Sequence, residues 1–140
     1  MKRTILVLTL IFCAVTISYS QIKVPEKVKT AFESKFPKAE SVKWSMDDDD
    51  YSADFTIDSV NYFAGFSDDG KWTETGVSIP FDNLSDAIKQ VVKKTYKDSD
   101  IKNAYSVEDS GGKIYYEVDV IKNGKTVEMY YNKDGSELDD

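Results

Sequence analysis

Apolar residues recur along this chain with two different periods, and the switches between them mark its elements. Val24, Val28, Ala31, Phe32 and Phe36 fall at helical spacing, with Lys27, Lys29, Glu33 and Lys35 on the other side, which predicts a helix with one apolar face. Pro25 suits its first turn and Pro37 stops it. The same spacing returns at Leu84, Ala87, Ile88, Val91, Val92 and Tyr96, with Asp82 or Asn83 placed to cap the start. Elsewhere the period is two: Tyr51, Ala53, Phe55 and Ile57; Tyr62, Ala64 and Phe66; Ile114, Tyr116, Val118 and Val120; Val127, Met129 and Tyr131. These runs predict half-buried antiparallel strands. Asn123-Gly124 is a two-residue hairpin signal, and Asp68-Asp69-Gly70 and Lys133-Asp134-Gly135 fit type I turns closed by a glycine of positive φ.

The pattern occurs twice. Val24, Val28, Phe32 and Phe36 fall on Leu84, Ile88, Val92 and Tyr96 at an offset of 60 residues. Tyr51, Phe55, Tyr62, Phe66 and Asp69-Gly70 fall on Tyr116, Val120, Val127, Tyr131 and Asp134-Gly135 at an offset of 65. Val42 and Trp44 begin the first strand of one half, Ala104 and Val107 that of the other. The predicted fold is α+β: two tandem repeats, about 22–80 and 81–140, each a helix plus about three antiparallel strands. They form one sheet of six to eight strands with both helices packed on one face. Phe32, Phe55, Val92 and Val118 are expected to share one core.

The first twenty residues stand apart. Lys2-Arg3 precedes an apolar run of 13 residues, Ile5 to Ile17, short of the roughly 20 needed to span a bilayer. Ser18-Tyr19-Ser20 places small residues three and one before a cut, so residues 1–20 are expected to be a signal peptide cleaved before Gln21. Residues 21–140 then form a single periplasmic or secreted domain without stable membrane insertion. Cleavage removes two bases and no acid, taking the net charge from −7 to −9, and also removes the lone Cys13, which lies inside the apolar run behind bulky Phe12 and is not read as a lipid anchor.

What remains has no Cys, His or Arg. A Ser-His-Asp or Cys-His nucleophile therefore cannot be assembled, and zinc and copper lose their usual ligands. A strongly acidic chain without Arg repels nucleic acid, so no such partner is expected. The absence of disulfides does not conflict with export, since a domain of this size buries enough surface to fold without them.

Val24-Pro25, Phe36-Pro37-Lys38-Ala39, Val42-Lys43-Trp44, the run Phe66 to Trp72 and Tyr115-Tyr116-Glu117-Val118 together resemble the PepSY-like, β-lactamase-inhibitor-like proteins exported by Bacteroidetes-type bacteria. The resemblance covers essentially residues 22–138. It implies a tandem helix-plus-sheet domain in the cell envelope, with protein binding or inhibition suggested by fold analogy. Ser85 departs from the pattern by standing where many relatives repeat the proline seen at Pro25, which is expected to weaken the second helix start.

Three readings compete for the polar residues. Asp47-Asp48-Asp49-Asp50 and the acidic turns offer hard oxygen ligands for calcium, yet four consecutive acids lack the alternate spacing of a calcium loop and read as a solvated run. Asp54 with Glu117 or Asp119 would be the machinery of a carboxylate hydrolase, although acids alternating with apolar residues are the ordinary outer face of a strand. If Tyr51, Phe55, Tyr62, Phe66, Tyr116 and Tyr131 point under the helices, alternation sends Phe63, Tyr115, Ile121 and Tyr130 to the opposite face with Asp54, Glu117, Asp119 and Glu128. Such a Tyr/acid surface suits an unidentified envelope protein as partner. The expected function is thus a non-enzymatic, inhibitor-like binding module that needs no cofactor or metal; the alternative is a small-ligand or calcium module using the acidic loops.

Overall fold

The computed structural model describes residues 22–47 and 49–138. The expected signal peptide and its cleavage point lie outside these residues, as does Asp48 of the acidic run. The elements follow in the order α1 (Glu26–Lys35), β1 (Glu40–Asp47), β2 (Asp50–Ile57), β3 (Val60–Phe66), β4 (Trp72–Ser78), α2 (Asp86–Thr95), β5 (Ile101–Asp109), β6 (Ile114–Lys122), β7 (Lys125–Tyr131) and β8 (Glu137–Leu138). All eight strands belong to one sheet in which sequence neighbours are also spatial neighbours, and every pair is antiparallel.

The turns behave as their residues dictate. Asn123 and Gly124 both take positive φ, 52° and 76°, the twist that a two-residue hairpin needs. Asp58 and Ser59 do the same between β2 and β3 without a glycine, which is why no turn signal stood out there. Gly70 and Gly135, at φ 85° and 84°, close the two Asp-Gly turns. A Cβ on Gly70 would stand 2.9 Å from the Lys27 carbonyl oxygen, and one on Gly135 3.0 Å from that of Ala87, so each turn presses directly on a helix backbone. The acids in these turns are engaged locally. Asp69 accepts from Ser67 Oγ at 2.6 Å and pairs with Lys71 at 2.8 Å, contacts that hold its carboxyl well below the usual range. Asp134 accepts from the Ser136 amide and hydroxyl.

Burial corrects the expectation of one shared core. Val28 and Phe32 of α1 pack with Ala53, Phe55, Ala64 and Phe66, whereas Ile88 and Val92 of α2 pack with Ala104, Val118, Val120 and Tyr131 in a separate cluster. Phe32 meets Phe55 edge-on at 5.1 Å and Trp44 at 5.2 Å. Width explains the division: eight strands about 4.8 Å apart extend over roughly 34 Å, while each helix is about 10 Å across. Trp72 sits opposite Phe66 and joins the first cluster, as the Asp69-Gly70 turn requires.

Three local expectations are also corrected. Asp82 and Asn83 belong to a short 3-10 turn, and the cap of α2 is Ser85, whose Oγ accepts from the Ile88 amide at 3.2 Å and donates to the Lys133 carbonyl at 2.7 Å. The serine that stands in place of proline therefore secures the helix start rather than weakening it. Val91 is 37% exposed, because it lies at the edge of the apolar stripe. Each helix is followed by four strands rather than about three, within the expected total of six to eight; β4, with only Trp72 and Val77 as large apolar residues, and the two-residue β8 offered no alternation to read.

Candidate functional site

Strand alternation places one set of side chains in the two clusters and the other set on the face away from them. Register aligns that second set in cross-strand rows. One row runs Lys43, Asp54, Phe63, Gly76, Val107 and Tyr115 from β1 to β6. Beside it, Tyr105, Glu117 and Tyr130 are direct neighbours on β5, β6 and β7, and the next row sets Asn103, Asp119 and Glu128 side by side. The face encloses an open hollow of about 600 Å³, lined among others by Asp54, Phe63, Tyr105, Glu117, Asp119 and Tyr130.

Aromatic rings wall this hollow. Phe63 and Tyr105 meet edge-on at 5.3 Å, and Tyr115 and Tyr130 do so at 6.1 Å. Tyr115 donates its phenol to the Glu74 carboxylate, and Tyr130 donates to Glu128 Oε2 at 2.7 Å. The rings exclude enough water that burial pushes the Tyr105 phenol up to about 12, with the neighbouring carboxylates of Asp119 and Glu117 adding to the effect. Burial also raises the Tyr115 phenol, reinforced by its bond to Glu74.

The acids are the unexpected part. Glu117 and Asp119, read from alternation as members of an ordinary outer strand face, are only 7% and 8% exposed. Each of Glu117, Asp119 and Glu128 has a carboxylate oxygen within 4.8 Å of the others'. Two unit charges at that separation repel by about 3–4 kcal/mol at an effective dielectric of 20. Burial first, and then the Asp119 and Glu128 charges, push Glu117 up to about 9, so the cluster holds a proton at neutral pH. Asp119 is steadied from one side: Asn103 Nδ2 donates to its Oδ2 at 2.8 Å, while Oδ1 is buried without a hydrogen-bond partner. None of the ion pairs among the described residues involves these three acids. Asp54, opposite Lys43, is raised by burial against the opposing pull of that lysine.

Of the residues singled out in the sequence, Phe63, Tyr130, Asp54, Glu117, Asp119 and Glu128 line one hollow. Tyr115 joins it through Tyr130 and Glu74, and Ile121, opposite Thr126 at the far end of β6, lies outside its lining. Tyr105, Glu74 and Asn103 were missed. Tyr105 lies in a run, Asn103-Ala104-Tyr105-Ser106, whose alternation is too weak to assign a face, and Glu74 lies on β4, which has no apolar alternation at all.

The family described as "Putative beta-lactamase-inhibitor-like, PepSY-like" matches residues 14–63 and 49–138. The chain belongs to this PepSY-like family. Solved structures share the fold of this PepSY-like chain. A "putative periplasmic" protein from Bacteroides eggerthii aligns with a TM-score of 0.66 at 19% identity, over 84% of this chain and 87% of that one. A DUF2874 family protein from Bacteroides ovatus gives 0.63 at 24% identity, over 84% and 86%. A BLIP-like protein from Bacteroides fragilis gives 0.58 at 20% identity, over 86% of each chain. No curated protein matches the sequence. Among the described residues of this PepSY-like chain, no helix is long and apolar enough to cross a membrane.

Proposed function

We propose that this PepSY-like protein is an exported, non-enzymatic binding module of the cell envelope that takes a protein partner on the aromatic and acidic hollow. The observation that carries the reading is the alignment of Phe63, Tyr105 and Tyr130 around one open concavity on a rigid antiparallel sheet. Aromatic anchors in such positions dominate protein interfaces, because each offers a large contact area at little entropic cost. The family's inhibitor-like character and the periplasmic description of the Bacteroides eggerthii neighbour support the same reading. The signal peptide at residues 1–20 belongs to it, with the domain beginning at Gln21.

The two halves are read as copies of one unit, with both helices on the same face. Gly70 against Lys27 and Gly135 against Ala87 support this, since the same turn-to-helix contact recurs at the same sequence offsets as the apolar pattern. Duplication accounts for a sheet wide enough to leave one whole face free.

Partner capture from envelope extract tests the function. The intact protein should retain a specific partner, and Tyr105→Ser with Tyr130→Ser should release it while the circular dichroism spectrum is unchanged. A folded double variant that retains the same partner at the same affinity would overturn the binding face. Activity of the purified protein on a panel of hydrolase substrates, lost in Glu117→Gln, would overturn the non-enzymatic reading.

A further inference from the structure

Three carboxylates converge in the hollow, two of them buried, and none of the ion pairs among the described residues brings a lysine to them. Glu117 and Asp119 lie at alternate positions of β6 and Glu128 lies directly opposite Asp119 on β7, so the sheet itself holds their oxygens within 4.8 Å of one another. Two ligands on opposite sides of a calcium ion stand about 4.6–5.2 Å apart, because calcium takes oxygens at 2.3–2.6 Å. Three oxygens spread evenly round one calcium ion stand about 4.0–4.5 Å apart, inside the 4.8 Å limit that the oxygens of this triad keep. Magnesium, at about 2.1 Å, demands near-ideal octahedral geometry and sheds its waters reluctantly, so three oxygens fixed by strand register suit it less well.

A second observation points to a ligand. Asp119 is more than nine-tenths buried, and no N–H or hydroxyl group donates to its Oδ1, although Oδ2 is held by Asn103. Buried acceptors are satisfied as a rule, so a carboxylate oxygen whose only polar neighbours are further carboxyl groups is a position open to a cation. The surroundings have the form of an outer coordination shell. Asn103 fixes one oxygen of Asp119 and Tyr130 fixes Oε2 of Glu128, each leaving the other oxygen free to turn inward.

We propose that Glu117, Asp119 and Glu128 form a calcium site in the hollow, with Asn103 and Tyr130 as positioning residues behind it. The site shares the hollow with the proposed partner surface, but holding the ion requires no partner. It differs in place from the acidic loops, whose Asp69 and Asp134 carboxylates are already engaged by their own turns. Three protein oxygens leave the remaining positions to water entering through the open side, which puts the affinity in the range of extracellular modules, a dissociation constant on the order of 10⁻⁴–10⁻³ M.

Terbium, which replaces calcium at oxygen sites, reports the occupancy through luminescence sensitised by Tyr105 and Tyr130. Calcium chloride should displace it from the purified protein in that concentration range, with magnesium at least tenfold weaker. Asp119→Asn and Glu128→Gln should each weaken calcium competition tenfold or more, and Asp134→Asn should leave it unchanged. Glu128 is exposed, so its variant tests the site even if the buried Asp119→Asn fails to fold. Absence of displacement up to about 10 mM calcium, equal competition by magnesium, or equal losses in Glu128→Gln and Asp134→Asn would each overturn the site.

Discussion

The ring of Phe63 lies over Gly76 on the neighbouring strand: a Cβ at Gly76 would overlap Phe63 Cε1. A glycine inside a strand weakens it, and an aromatic ring laid over the bare backbone restores the lost contact. Phe63 is part of the wall of the hollow and reaches Tyr105 from this position. Gly76→Ala should destabilise the protein by about 1–3 kcal/mol through overpacking. In chemical denaturation, Gly76→Ala combined with Phe63→Ala should lose less than the sum of the two single changes, because the clash disappears with the ring. Additive losses would mean that the ring does not depend on the glycine.

The two clusters make a separate prediction about energetics. Phe32→Ala should cost about 3–5 kcal/mol and Ile88→Ala about 2–5 kcal/mol, as both side chains are buried. Their double variant should be additive to within about 0.5 kcal/mol, since the residues share no packing partner. A coupling above about 1 kcal/mol would restore the single core.

Glu117 should give stability a slope with pH. Its ordinary value is 4.5 and the fold pushes it up to about 9, so between these limits the folded chain holds a proton that the unfolded chain releases. The stabilisation is complete below the ordinary value and is lost as pH rises toward about 9. Thermal unfolding in the presence of a chelator should therefore show the melting temperature falling between roughly pH 5 and pH 9. Glu117→Gln should flatten that slope and melt above the parent protein at about pH 8. An unchanged slope in the variant would mean that Glu117 is ionised in the fold.

Ser85 ties the start of α2 to the Lys133 turn through its two hydrogen bonds. Ser85→Ala should cost about 1 kcal/mol, within the range of roughly 0.5–2 kcal/mol for a lost cap. Asp82→Ala and Asn83→Ala should stay within about 0.5 kcal/mol of the parent. A larger loss at Asn83 than at Ser85, measured by urea denaturation, would return the cap to Asn83.

Periodicity determined the elements wherever alternation was strong. Tyr116, Val118 and Val120 had to face away from Tyr115, Glu117 and Asp119 because successive strand side chains point to opposite sides. Asn123-Gly124 and the two Asp-Gly turns were readable because positive φ restricts the residues that can occupy such positions. Composition likewise excluded histidine and cysteine chemistry outside the first twenty residues. Tertiary structure alone decided how deep each residue lies. Glu117 is on the same side as any outer strand residue, yet Tyr105 and Tyr130, its direct neighbours on β5 and β7, enclose it. Those contacts join residues 12 and 13 positions away in the chain, and register between strands rather than local pattern sets them. The same is true of Glu74 with Tyr115, 41 residues apart, and of Ser85 with Lys133, 48 apart. A sequence period states which side a residue faces; what it meets there depends on strand order and register, which alternation does not encode.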